Sequence, residues 1–270
     1  MNSTSAPMPE AAAGSVLLPD WPAPARVQAL VTLRAGGDSR GAFGLSGGQA
    51  GGWNLGGHCG DDAARVASNR RRLRAWLPAE PCWLEQVHGC AVFEATRAPA
   101  SAEGWVPPRA DASVSSAPGV VLAVLTADCL PILLCDRAGT AVGIAHAGWR
   151  GLANGIAERT LERLRALRPQ ADGWIAWLGP AIGPGRFEVG QDVLDAFVGP
   201  DDAAAQAFRP GPVPGKWLAD LFALARLRLR RCGVEQVYGG GLCTVSDPHR
   251  FYSFRRDRET GRMASLIWLD

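Results

Sequence analysis

The sequence predicts a mixed α/β (α+β) fold built on mixed sheets, and three observations predict it. Segments 120–126, 131–136 and 140–146 are near-continuous apolar runs of strand length, the pattern of strands buried on both faces. The turn Arg137-Ala138-Gly139 between the last two is too short for anything but an antiparallel hairpin. Helical and strand patterns then alternate irregularly, which excludes a purely parallel sheet.

The elements follow in order. Residues 1–13, rich in Ala, Ser and Pro, read as a disordered tail. Residues 14–270 contain no repeat and no convincing linker, so they read as one domain. A strand is predicted over 27–33. Segment 36–60 holds eleven glycines in 25 residues, a loop that is flexible or brings backbone close to a ligand. Residues 61–77 read as a helix with Asp61 as N-cap. Strands are expected at 82–87 and 91–95, and a Pro-containing loop at 98–108. After the central strands, 152–168 reads as one amphipathic helix, with Leu152, Ile156, Leu161, Leu164 and Leu167 on its apolar side. A strand at 173–178, a Gly/Pro loop at 179–186 and a short helix at 189–197 come next. A longer helix at 216–231 ends in Arg226, Arg228, Arg230 and Arg231, read as a solvated end that the helix dipole favours. Strands at 235–238 and 264–269 close the chain.

Composition narrows the function. At 47% hydrophobic and 20% charged residues the chain is globular, and a net charge of +2 without a basic stripe argues against nucleic-acid binding. No run approaches the ~18 apolar residues of a membrane span. The start has neither a basic nor an apolar signal region, and the seven cysteines form no CxxC pair. The expectation is a cytoplasmic protein with reduced thiols. Lys216 is the only lysine; arginine's planar fork suits carboxylate and phosphate, but the excess reads first as a codon bias toward Arg.

Only four histidines occur, so each is informative. His88 ends a predicted strand, Cys129 sits between two buried strands, and His146 stands where a strand gives way to a helix. If residues 136–139 form the hairpin loop, paired residue numbers sum to 275 and Cys129 faces His146. If only 138–139 form it, the sum is 277 and the two are diagonal neighbours. Either register puts them on one face, about 5–8 Å apart. With His88 they would make a Cys/His/His zinc site with one open position. The metal-free alternative is Cys129 as nucleophile activated by His146, and a packed cysteine beside two hydrogen-bonded histidines also fits. The helix opening at 148–151 is a natural anion site, to which Arg150 adds a fork of donors. Segment 251–257 alternates aromatic and polar residues and reads as an edge strand or a phosphate- or base-binding element. His58 and Cys59 are a further, weaker ligand pair.

Seven ordered motifs carry a resemblance: TLRAGG (32–37), WNLGGH (53–58), LEQVHG (84–89), TADC (126–129), HAGWRG (146–151), LGPAIG (178–183) and YSFRRD (252–257). In these, and in register after about Pro19, the sequence closely resembles the bacterial YfiH family. That family is also called laccase-domain or polyphenol-oxidase proteins and is described as purine nucleoside phosphorylases. The resemblance implies an α-β-β-α layered sandwich related to the catalytic domain of cytotoxic necrotizing toxins. It implies zinc held by His88, Cys129 and His146, with copper an alternative occupant. It implies phosphorolysis of adenosine, inosine and methylthioadenosine, with adenosine deamination as a second activity. Arg34, Asn54, Arg150 and Arg255 fall at family motif positions and are carried over as substrate or phosphate binders. Leu33, Cys59 and Phe254 depart from the usual residues, and the family often has Tyr where this chain has Phe254.

Four functions compete on this basis: a zinc-dependent enzyme acting on purine nucleosides by phosphorolysis and deamination, a multicopper laccase, a Cys-nucleophile hydrolase, and a non-enzymatic binding module that leaves the clustered His and Cys unexplained. A zinc deaminase would ordinarily carry HxE with a later PCxxC, which is absent. A different acid is therefore needed: Glu85 points away from His88 in an extended strand, which leaves Asp128. A multicopper laccase needs a histidine-only cluster beyond its Cys/His₂ centre, and four histidines are too few. A Cys-nucleophile amide hydrolase acting on cell-wall precursors is the third.

Overall fold

The apolar runs that predict doubly buried strands become the two sheets at the centre of the molecule. The computed structural model describes residues 14–102 and 104–270, and the predicted tail at 1–13 lies outside them. The first half comprises β1 (Val16–Leu17), β2 (Val27–Thr32), β3 (Ala35–Ser39), α1 (Ala63–Arg74), β4 (Val92–Glu94), β5 (Ala112–Ser115), β6 (Leu122–Thr126), β7 (Leu130–Asp136) and β8 (Val142–Ala147). The second comprises α2 (Trp149–Ala153), α3 (Ile156–Leu167), β9 (Trp174–Leu178), β10 (Glu188–Val189), α4 (Gln191–Val198), β11 (Phe208–Pro210), β12 (Trp217–Ala219), α5 (Leu221–Arg231), β13 (Gln236–Gly239), α6 (Phe254–Asp257) and β14 (Met263–Leu269).

One sheet has the order β13-β9-β7-β8-β5-β4, a second β1-β2-β14-β6, and a small third β10-β12-β11. β13–β9 and β4–β5 pair in parallel and the rest antiparallel, so the large sheet is mixed. Alternation along each strand assigns the layers. In β7, Leu130, Ile132 and Leu134 pack with Leu152, Ile156, Leu161 and Leu164 of the helical layer. Leu133 and Cys135, on its other face, meet Val27, Val31, Leu122, Val124 and Ile267 of the second sheet. The far face of that sheet, through Leu30, Leu125, Leu266 and Trp268, meets Leu73 beneath α1. The stack is thus helix, sheet, sheet, helix, and both sheets are covered on both faces. Leu133 lies fully buried between the sheets. Leu133→Ala is expected to cost about 2–5 kcal/mol, read as a lower urea midpoint, because neither sheet can collapse into the cavity.

Several expected boundaries move, each for a local reason. The strand expected at 82–87 makes only isolated bridges at Cys82 and Glu85. The Gln86 side chain instead closes both Leu125 backbone groups, donating to its O and accepting from its N at 2.8 Å each. The single helix expected at 152–168 is two, broken where Gly155 adopts φ +93. The helix expected from 216 begins at Leu221, capped by Asp220, with β12 before it. Asp62, not Asp61, caps α1 by accepting from Ala64 N and Arg65 N. Asp61 accepts from Ser39 and Asn54. The arginines ending α5 are not simply solvated: Arg226 donates to Val237 O and Gly239 O, and Arg228 pairs with Glu158. Residues 254–257 form the short helix α6 rather than an edge strand, because Ser253 Oγ caps Arg256 N. No helix among the described residues is long and apolar enough to cross a membrane.

Candidate metal centre and the cavity around it

The β7–β8 hairpin sets the first two residues of the site. Leu130 pairs with Ala147 and Pro131 with His146, so the numbers sum to 277. This is the shorter-loop register, and Cys129, one residue before β7, stands diagonally across from His146. His88 arrives on a separate turn in the left-handed conformation, φ +58. Such a backbone costs free energy in a non-glycine residue and needs external support.

Asp111 supplies the support. Its buried carboxylate accepts the consecutive N–H groups of Val87, His88 and Gly89 at 3.2, 2.9 and 2.7 Å. The same carboxylate accepts His146 Nδ1 at 2.8 Å, which leaves His146 Nε2 facing the site. One side chain thereby fixes the turn carrying one imidazole and the tautomer of the other. This is the outer-shell arrangement typical of metal-bound histidine. Sequence reasoning missed Asp111. Its only signal was its place just before the alternating Ala-Ser-Val-Ser of β5, a strand whose small residues give little apolar contrast.

The donor set fits a metal. The ligand atoms of His88, Cys129 and His146 all lie within 4.8 Å of one another. Cys129 Sγ is 3.7 Å from His88 Nε2, close to the roughly 3.5 Å between neighbouring ligands on a tetrahedral zinc. The two imidazoles are 4.7 Å apart and nearly perpendicular. Burial alone would raise the Cys129 thiol, but the adjacent His146 and His88 outweigh it and hold the thiol well below its usual value. On His146, burial is outweighed by the Cys129 sulfur and the Asp111 hydrogen bond, which push its pKa up. The pair is thus drawn toward thiolate and imidazolium, and a metal bound there would displace the imidazolium proton. His58 and Cys59 stand outside this cluster.

A cavity of about 200 Å³ opens onto the cluster. Trp149, Ile182, Phe187 and Phe254 supply apolar wall, and Arg150 and Arg255 supply charge. The Arg150 guanidinium lies 4.4 Å from the Trp149 ring centroid. Arg255 lies 5.4 Å from that of Phe187 and donates to Glu188 O. Asp128 also lines the cavity, in a left-handed conformation of φ +93. One of its carboxylate oxygens accepts Thr244 Oγ1 at 2.5 Å and the other Arg255 N at 2.6 Å. Both oxygens are occupied by donors, so its geometry is that of a brace between the cysteine loop and the turn at 254–257, not of a free acid. Glu85 does not line the cavity.

Two predicted substrate binders stand elsewhere. Arg34 donates to the Gly44, Leu45 and Pro248 carbonyls and pairs with Asp257 at 3.7 Å. Asn54 bonds Gly56, Asp61 and Arg262 N. Both organise the glycine-rich segment and do not line the cavity.

Comparison with known proteins agrees with this architecture. The family model described as multi-copper polyphenol oxidoreductase laccase matches residues 28–270. A Pseudomonas aeruginosa protein named purine nucleoside phosphorylase is 52% identical over 253 residues, covering 94% of this chain and 98% of that one. The Escherichia coli purine nucleoside phosphorylase YfiH is 48% identical over 257 residues, with the same coverage. The crystal structure of the Neisseria meningitidis protein NMB0706 superposes with a TM-score of 0.85 at 50% identity, covering 95% of this chain and 99% of that one. YlmD from Geobacillus stearothermophilus gives 0.80 at 33%, covering 91% and 92%. With the family model matched across nearly the whole chain and relatives near half identity at full length, this chain belongs to the YfiH family of laccase-domain proteins.

Proposed function

We propose that the protein is a zinc-dependent purine nucleoside phosphorylase acting on adenosine, inosine and methylthioadenosine, with adenosine deamination as a second activity. The observation that carries this reading is a cavity that joins two arginines and an apolar wall to His88 and Cys129 of the three-ligand cluster, with His146 buried beside them. The relatives named purine nucleoside phosphorylase add to it.

His88, Cys129 and His146 would hold the metal, which when bound supplies Lewis acidity and an acidified water at its open position. Arg150 and Arg255 bind phosphate and orient it toward the sugar. In phosphorolysis a phosphate oxygen bonds to the ribose C1′ as the bond to the base breaks, and the leaving base takes up the proton that the attacking phosphate gives up. Asp128 holds the Arg255 backbone against the cysteine loop and so positions that guanidinium. In deamination, water replaces the 6-amino group and ammonia leaves.

The test is purified zinc-loaded protein on inosine and adenosine, with and without phosphate, resolving adenine, inosine and hypoxanthine. Hypoxanthine formation is expected to require phosphate and to match ribose 1-phosphate mole for mole. His88→Ala is expected to lower the rate by more than the ~10–100-fold of an outer-shell change. Undiminished turnover would remove the cluster from the mechanism.

A second reading is favoured by one specific observation. Cys129, His146 and Asp111 form a chain of nucleophile, base and orienting carboxylate, which suits amide hydrolysis by the thiolate. That reading predicts inactivation by iodoacetamide with insensitivity to chelators. The metal-dependent reading predicts loss of activity with strong chelators and its return with zinc. Copper polyphenol oxidation is a weaker reading, because two of the four histidines, His58 and His249, lie outside the cluster.

A further inference from the structure

We infer that Phe254 is the platform on which the substrate's base stacks, and hence the residue that selects a flat heteroaromatic ring over other leaving groups. The inference rests on the nucleoside reading above and deepens it. Among the described residues five large hydrophobic side chains are exposed, and Phe254, at 48%, is the only aromatic one. It is also the one of the five that lines the cavity over the metal cluster. An isolated exposed apolar side chain needs no explanation, but an exposed ring at the rim of a functional cavity marks surface that a ligand covers.

The other aromatic walls are less available. Phe187 is 6% exposed, and both it and Trp149 carry a cavity arginine over one ring face. Phe254 has the Arg262 guanidinium 5.9 Å from its centroid, and Arg262, unlike Arg150 and Arg255, does not line the cavity.

Its position is also fixed relative to the chemistry. Phe254 opens α6, whose second residue, Arg255, donates its N–H to Asp128, the neighbour of Cys129. The ring and the sulfur therefore belong to one braced unit, so a base lying on Phe254 has a defined distance to the cluster. The charged groups, Arg150, Arg255 and the ligands, are left for phosphate and ribose. A neutral π-system at one end and anion-binding groups at the other match a nucleoside with phosphate.

The experiment compares Phe254→Leu and Phe254→Ala with Phe254→Tyr and Phe254→Trp in the zinc-loaded enzyme. Leu keeps apolar bulk and loses the ring; Tyr and Trp keep a ring. The first pair is expected to raise KM for inosine by about 5- to 150-fold, equivalent to ~1–3 kcal/mol of base stacking, with kcat nearly unchanged. The second pair should stay within about threefold of the native KM, and bound zinc should be equal in all four. Adenine binding, followed by quenching of tryptophan fluorescence, is measured alongside. If Phe254→Leu leaves both KM and adenine affinity at native values, the inference is overturned while phosphorolysis stands. If the native protein binds adenine through Phe254 yet does not phosphorolyse nucleosides, the stacking inference stands and the phosphorylase reading falls. If the native protein neither binds adenine nor turns over inosine, both fall.

Discussion

Asp111→Ala is expected to cost about 3–5 kcal/mol of stability and to empty the metal cluster, a loss at the upper end for one substitution. The magnitude follows from what the carboxylate satisfies. Three consecutive backbone N–H groups and one imidazole N–H converge on it, and the residue is fully buried. Each buried donor left without a partner costs roughly 1–3 kcal/mol, and these losses overlap because the freed turn relaxes. The left-handed backbone of His88 loses the contacts that hold it there, so its imidazole leaves the cluster. Asp111→Asn separates the two effects. It keeps the volume, but its amide NH₂ faces donors, and it removes the charge that makes His146 a stronger ligand. We expect a folded protein with zinc affinity lowered about 10–100-fold, measured by competition with a chromogenic chelator. A folded Asn variant with native zinc affinity would show that Asp111 supports the turn alone and does not tune the ligands.

The same residue shows where sequence reasoning reached its limit. Cys129 and His146 were legible together because β7 and β8 are long apolar runs joined by a short turn, so hairpin geometry alone put them on one face. His88 was legible as a residue but its route was not. The segment before it reads as a strand, yet the Gln86 side chain takes the place of a ladder, and the turn closes on a carboxylate over twenty residues away. β5 was missed because Ala-Ser-Val-Ser has the period of a strand without the hydrophobicity. The doubly apolar strands showed a sheet covered on both faces, but the layer order came only from the family resemblance. The helix boundaries were not, because Gly155 breaks one amphipathic pattern and β12 borrows the start of another. Arg34 and Asn54 illustrate a different limit. Their motif positions point toward a site, but their side chains tie loops together and do not line the cavity.

Gly148→Ala is expected to remove metal binding without unfolding the protein, which makes it the sharper probe of whether the cluster does the chemistry. Gly148 has φ −61 and ψ 159, a conformation any residue adopts, so no backbone strain accompanies the change. The penalty is steric and local: a Cβ there would stand 2.9 Å from Cys129 Sγ and 3.1 Å from His88 Cδ2. Both neighbours are ligand side chains, and one or both must shift. A site of this kind holds its ligands to within about 0.5 Å, so even a small displacement spoils it. The helix start adds to the cost, since alanine is a clearly poorer N-cap than glycine, by about 1 kcal/mol. We expect a folded protein with stability lowered by about 1–3 kcal/mol, a zinc stoichiometry near zero after dialysis, and phosphorolysis reduced at least about 100-fold. Gly57→Ala is the matched control, since its Cβ would meet nothing within 4 Å, and native zinc content and rate are expected there. If Gly148→Ala lost zinc yet kept its full rate while becoming sensitive to iodoacetamide, the thiolate alone would be the working group, and the arginines and apolar wall would have to be reinterpreted around a covalent intermediate.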